Sequence, residues 1–131
     1  MPVDAHVRAL LDREPGDVRV AIVGASNDPR KFGHKILLNL ARKGFDVVPI
    51  HPTETAVAGR TAYPTVQAAP GPIHIVDFVV PPDVTRAILE GLDADLFDVV
   101  WLQPGSFDRA AAQAAERFAH PVVGDCIMVE A

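Results

Sequence analysis

Gly24-Ala25-Ser26-Asn27-Asp28-Pro29 closes an apolar run, 18–23, and opens onto a helical pattern that begins near Phe32. Gly24, Ala25 and Ser26 carry almost no side chain, so the phosphates of a ligand can approach the backbone N–H groups closely. A helix starting at about Phe32 aims its positive end at the same place. Arg30, Lys31 and Lys35 bring cations to that helix N-terminus. There they oppose the helix dipole, which is a reason to expect an anion between them. The chemistry this pattern suits is non-covalent: a cradle for a phosphorylated, nucleotide-type ligand. The competing reading is that the small residues only let strand and helix pack closely, but Asn27 and Pro29 prolong the loop beyond what packing needs.

Other chemistries fit less well. A nicotinamide dinucleotide site calls for G-x-G-x-x-G after the strand and an acid about twenty residues later for the ribose. Here the glycine that follows Gly24 is Gly33, and the second apolar run ends Val48-Pro49-Ile50-His51-Pro52 with no acid. A G-x-S-x-G nucleophile elbow fails at Asp28, so Ser26 reads as a hydroxyl donor to phosphate and no catalytic residue is expected. The absence of G-K-[ST] excludes a Walker-A loop. His34 and His51 fall near the same rim without a third ligand at fixed spacing, and His51 reads as pocket lining. His6, His74 and His120 carry no signal, and no metal is expected. Gln103-Pro104-Gly105 is a tight turn, with Trp101 before it in the core. The lone Cys126 excludes an internal disulfide and reads as a small buried hydrophobe.

The elements that must position these residues alternate along the chain. Val3, Val7, Leu10 and Leu11 predict an amphipathic N-terminal helix within 1–14, ended by Pro15-Gly16. Strands are expected at 18–23, 46–50, 73–80, 98–102 and 121–123. Helices are expected from Phe32 to Gly44, from an Asp83 cap with a Val84, Ala87, Ile88, Leu92 face, and from Ser106 or Asp108 with an Ala111, Ala114, Ala115, Phe118 face. The stretch 53–72 is rich in turn residues, with one helical turn expected near 66–69. Strand–helix alternation predicts an α/β, Rossmann-like doubly wound parallel sheet of five strands, in the order 3-2-1-4-5, with helices on both faces. Ligands of such sheets bind beyond the carboxyl ends of the strands, beside strand one.

Length and composition agree. At 131 residues the chain reads as one domain, and 49% hydrophobic residues favour a packed core over disorder. A formal charge of −5 argues against nucleic acid or an anionic membrane as partner. No apolar run spans a bilayer and no signal peptide opens the chain, so a cytoplasmic location is expected.

Val20-Ala21-Ile22-Val23-Gly24-Ala25-Ser26-Asn27, Val48-Pro49-Ile50-His51-Pro52, Gly59-Arg60 with Tyr63-Pro64, Val80-Pro81-Pro82, Val100-Trp101-Leu102-Gln103 and Asp125-Cys126-Ile127 together resemble the small stand-alone CoA-binding proteins of bacteria and archaea. These are similar to the CoA-binding domain of the succinyl-CoA synthetase α-subunit. The resemblance runs from about Asp17 to Glu130, with only scattered matches between Thr53 and Pro72. It implies coenzyme A or an acyl-CoA as ligand. Gly24, Ala25 and Ser26 would hold the pyrophosphate, and Arg30 and Lys31 would sit near the phosphates. Ile50 and Pro52 would flank the adenosine end, and Val80, Pro81 and Val84 would support adenine or pantetheine. Asn27, Gly33 and His51 complete the candidate set. The 3′-phosphate of CoA suits a cationic rim better than the ribose-binding acid of an NAD site. In the synthetases the phosphorylated histidine belongs to a second domain, so a chain of this kind is expected to be a carrier, sensor or regulatory module without catalysis of its own. The alternatives are a nicotinamide-dependent enzyme and an interaction protein with a vestigial pocket. In the latter the N-terminal helix would dock a second copy or another protein.

Overall fold

In the computed structural model, which describes residues 3–131, the apolar runs become strands β1 (Arg19–Val23) and β2 (Asp46–Ile50), the short antiparallel pair β3 (Ala56–Val57) and β4 (Arg60–Thr61), then β5 (Ile75–Phe78), β6 (Val99–Leu102) and β7 (His120–Val123). The helices are α1 (Ala5–Leu11), α2 (Phe32–Arg42), α3 (Pro82–Gly91), α4 (Arg109–Ala115) and α5 (Ile127–Glu130). Asp4 caps α1 by accepting the Val7 amide, and Asp108 caps α4 by accepting the Ala111 amide. Residues 1 and 2 of the expected N-terminal helix lie outside the described residues.

The five long strands form one parallel sheet in the order β2-β1-β5-β6-β7. The α/β class and the five strands are as expected, but the strand order is corrected. Counting only these strands in chain order, the sheet runs 2-1-3-4-5 rather than 3-2-1-4-5. Proline explains the difference. Pro49 lies in β2 and has no N–H to donate to a ladder, so β2 takes an edge and β5 the inner place; Pro121 marks β7 as the other edge, where both orders put it. β5 carries no proline, is buried throughout and pairs with β1 and β6. The outer edge of β2 is covered locally: Tyr63 donates to the Pro49 carbonyl at 3.1 Å, and His51 donates to the Tyr63 carbonyl at 2.9 Å.

Side chains alternate between two cores. On one face Ile22, Ile75 and Trp101 pack with Val7 and Leu10 of α1, Ile36, Leu37 and Leu40 of α2, and Ile127 of α5. On the other, Val23, Phe78, Val100 and Leu102 pack with Leu89 of α3, Ala111 and Ala115 of α4, and Phe118. Each fully buried Leu or Ile contributes about 1.5–3 kcal/mol. The phase of α3 differs from expectation. The helix starts at Pro82 with Pro81, not Asp83, as its N-cap, so Thr85 and Leu89 turn inward while Val84 stays exposed.

Asp77 departs from the apolar pattern. It sits in β5 between Ile22 and Trp101, wholly buried, and neither carboxylate oxygen has a hydrogen-bond partner. Burial pushes its carboxyl well above the ordinary range.

Candidate functional site

The strand order puts the reversal of winding between β1 and β5, so the carboxyl ends of these two strands diverge into a crevice. A cavity of about 910 Å³ opens there. Its floor is the turn Gly24–Ser26. Its walls are the start of α2 from Arg30 to Gly33, His51-Pro52 after β2, Val79–Pro82 after β5, Gln103–Ser106 after β6, and Cys126.

Two glycines allow this convergence. Gly24 has φ +98°, and a Cβ on it would lie 2.8 Å from both the Val79 carbonyl oxygen and Val80 Cγ1. A Cβ on Gly33 would lie 2.0 Å from the Gly24 carbonyl oxygen. Thus Gly24 lets the β1 turn approach the end of β5, and Gly33 lets α2 approach the turn. The turn is then held from several sides. His34 Nδ1 donates to the Ser26 carbonyl at 2.8 Å, and Ser26 Oγ accepts the Asp28 amide at 3.0 Å.

At the start of α2 the N-cap residue Lys31 supplies no side-chain cap. Among the described residues no protein acceptor faces the amides of Ser26, Asn27, Phe32 or Gly33. Unpartnered amides in a turn and at the helix N-terminus that follows it suit an anion. The cations differ from one another. Arg30 is held by Asp28 through its Nε and Nη2, each 3.0 Å from a carboxylate oxygen. The Arg30 guanidinium holds the Asp28 carboxyl below its usual range, and Asp28 in turn raises Arg30. Lys31 has no carboxylate partner among the described residues, so its ammonium is available to a ligand. Lys35 Nζ lies 5.4 Å from the ring centroid of Phe32, an aromatic that is 63% exposed on the cavity wall.

Around the rest of the rim, His51 Nδ1 accepts the amides of Thr53 and Glu54 at 3.1 and 3.0 Å, which leaves Nε2 as the N–H donor of the neutral ring. Gln103 Oε1 accepts the Ile127 amide at 2.9 Å, and its Nε2 donates to Cys126 Sγ at 3.5 Å. Trp101 Nε1 donates to the Asp125 carbonyl at 2.8 Å. These bonds draw the segment after β7 back over β6, which is how a residue following an edge strand reaches the cavity. Cys126 is half-buried in the wall, not sealed in the core. Ser26 Oγ has no imidazole or carboxylate base in contact among the described residues; its one bond there is the Asp28 amide it accepts.

Of the candidate residues, Gly24, Ala25, Ser26, Arg30, Lys31, Gly33, His51, Pro52, Val80 and Pro81 line the cavity. Asn27, Ile50 and Val84 do not. Asn27 instead donates to the Ala56 carbonyl and accepts the Ala58 amide, both at 3.0 Å, fastening the β3–β4 hairpin to the turn. Ile50 alternates to the opposite face of the sheet, where it lines a separate cavity of about 240 Å³. Val84 is carried away by the earlier start of α3. Phe32, Ile36, Val79, Pro82, residues 103–106 and Cys126 also line the cavity and lie outside the candidate set. Phe32 is an exposed aromatic in the first turn of an amphipathic helix, a signal that pattern reading passes over.

Residues 18–131 match the family of the CoA binding domain. The chain belongs to that family. The uncharacterized protein YneT of Bacillus subtilis is 29% identical over 133 residues, covering 98% of this chain and 93% of YneT. The α-subunit of an ADP-forming acetate–CoA ligase II of Pyrococcus furiosus is 37% identical over 71 residues, covering 53% of this chain and 16% of that subunit. A solved structure of a hypothetical protein from Pyrococcus horikoshii superimposes with a TM-score of 0.83 at 32% identity, covering 99% of this chain and 93% of that one. A CoA-binding domain of this family is thus also a part of CoA ligases.

Proposed function

We propose that the protein binds coenzyme A, or an acyl-CoA, in the cavity at the carboxyl edge of the sheet, as a carrier, sensor or regulatory module without catalysis of its own. The observation that carries this reading is the α2 N-terminus, where unpartnered amides, the uncapped Lys31 and the Gly24–Ser26 turn converge on one cavity. The pyrophosphate lies on the turn and the helix N-terminus, with Lys31 as counter-charge. Phe32 gives the adenine a face to stack on, and the apolar wall Val79–Pro82 carries the pantetheine arm. The thiol end of that arm runs toward Gln103–Ser106 and Cys126. Bound CoA brings no chemistry here beyond its own thiol; the chain's residues bind and orient it.

The reading is tested by thermal denaturation of desalted, ligand-free protein with CoA, acetyl-CoA, dephospho-CoA, NAD, NADP and AMP. CoA at about a hundred times its dissociation constant adds roughly 2.7 kcal/mol, a rise in Tm of several degrees. A shift with NAD or NADP but none with CoA would replace this reading by that of a nicotinamide-dependent enzyme.

A further inference from the structure

At the opposite, amino edge of the sheet three segments bring together His6 of α1, Asp98 just before β6 and His120 at the start of β7. The two imidazole rings stack, with centroids 3.9 Å apart and planes 5° from parallel. His6 Nε2 lies 3.3 Å from Asp98 Oδ2. His120 Nδ1 lies 2.9 Å from Asp4 Oδ2, and Asp4 is itself fixed because its Oδ1 accepts the Val7 amide at 2.8 Å. One ligand-type atom from each of His6, Asp98 and His120 lies within 4.8 Å of the others.

Each contact has a consequence for metal chemistry. A carboxylate that accepts from Nδ1–H fixes the tautomer of His120 and leaves the Nε2 lone pair available, as the outer partners of metal-bound histidines do. His6 already points Nε2 at a carboxylate oxygen. Two imidazoles and one carboxylate form a ligand set for a borderline first-row divalent cation such as zinc, with a fourth position for water. Tetrahedral zinc with bonds of about 2.0–2.1 Å needs its ligand atoms roughly 3.3 Å apart. The side chains must therefore close by an ångström or so and the stacked rings must splay. His6, Asp98 and His120 have room for this, being 47%, 48% and 28% exposed at their side chains. In sequence the three lie far apart, with no local spacing to mark them.

We propose that His6, Asp98 and His120 bind a zinc-type divalent cation, that Asp4 is the positioning residue for His120, and that the bound ion fastens α1 to the amino edge of the sheet. The site uses none of the CoA-cavity residues and stands or falls independently of CoA binding.

The test uses untagged protein of the full sequence with zinc for thermal shift and cobalt(II) for its visible absorption. One equivalent is bound, saturating zinc raises Tm by about 5 °C or more, and cobalt gives a d–d spectrum. His6→Asn and His120→Asn each abolish the shift and the spectrum while circular dichroism stays native. Asp4→Asn, which keeps a capping side chain, weakens the affinity about 10- to 100-fold. Cys126→Ser and His51→Asn leave binding intact. In the wild type, imidazole resonances offer a check that needs no folded variant: His6 and His120 shift together on zinc addition while His34, His51 and His74 do not. No shift in the wild type with 0.1 mM zinc, or a shift that survives both histidine substitutions or is lost in Cys126→Ser, overturns the proposal.

Discussion

Lys31 and Arg30 are adjacent cations with different duties. Arg30 is tied to Asp28 by two side-chain hydrogen bonds, whereas Lys31 has no such partner among the described residues. Lys31→Ala is therefore expected to weaken CoA binding roughly 10- to 100-fold, the worth of a charge-assisted bond, and Arg30→Ala to weaken it less. Calorimetry at two salt concentrations checks this, and equal losses for the two variants would contradict it. Asp77 makes a separate prediction. Its folded-state carboxyl binds a proton more tightly than the ordinary carboxyl at 3.8. At this group the native state therefore holds its proton above that pH where the unfolded state does not, so its contribution to stability falls as pH rises from about 4 toward the folded value, opposite in sign to that of Asp4 and Asp28. Asp77→Asn, nearly isosteric and uncharged, flattens that part of the pH–stability curve. A wild-type curve with the same slope as Asp77→Asn would mean that Asp77 is not the group responsible. The residue scale also marks what sequence could yield. The small turn and its cations are visible because their chemistry is local. The pairing of Arg30 with Asp28 and the duty of Asn27 to the hairpin depend on side-chain directions that no spacing encodes.

The elements that build the cavity meet through glycine. Gly33→Ala would place its Cβ against the Gly24 carbonyl, a backbone atom that cannot swing aside. The expected loss is about 1–3 kcal/mol of stability, together with weaker CoA binding, because α2 must withdraw from the turn. Unchanged stability and affinity, measured by urea unfolding and calorimetry, would show that the close approach is not required. Gly24→Val strains the fold as well, since its Cβ meets the end of β5 and its φ suits glycine. The loss of binding on that substitution is thus inseparable from a loss of stability. At this scale the strands and most helices are readable from apolar periodicity and turn residues. Fold type alone does not give the strand order; Pro49, which sends its strand to an edge, is the residue that carries it. The phase of α3 failed because Pro82 starts that helix and Asp83 does not cap it. The β3–β4 hairpin was missed because two-residue strands leave no period to detect.

Across the whole molecule, the sheet separates two edges with different endowments. The carboxyl edge holds the cavity and its cations; the amino edge holds the histidine–aspartate cluster. The formal charge is −5, yet Arg30 and Lys31 line the cavity, and Lys35 Nζ lies over the ring of Phe32 in its wall. An anionic ligand meets that local field more strongly than the net charge suggests. The segment after β7 closes the same cavity, with Gln103 and Trp101 holding it and Lys43 donating to the Met128 and Ala131 carbonyls. The β1 turn, the start of α2, the end of β5 and the last segment of the chain all line that one cavity. The most direct test is isothermal titration of CoA into ligand-free protein, with the Lys31→Ala variant in parallel. One CoA is expected to bind per chain in the wild type, and the variant to bind it roughly 10- to 100-fold more weakly. No heat at millimolar CoA, or an identical affinity in the variant, would contradict it.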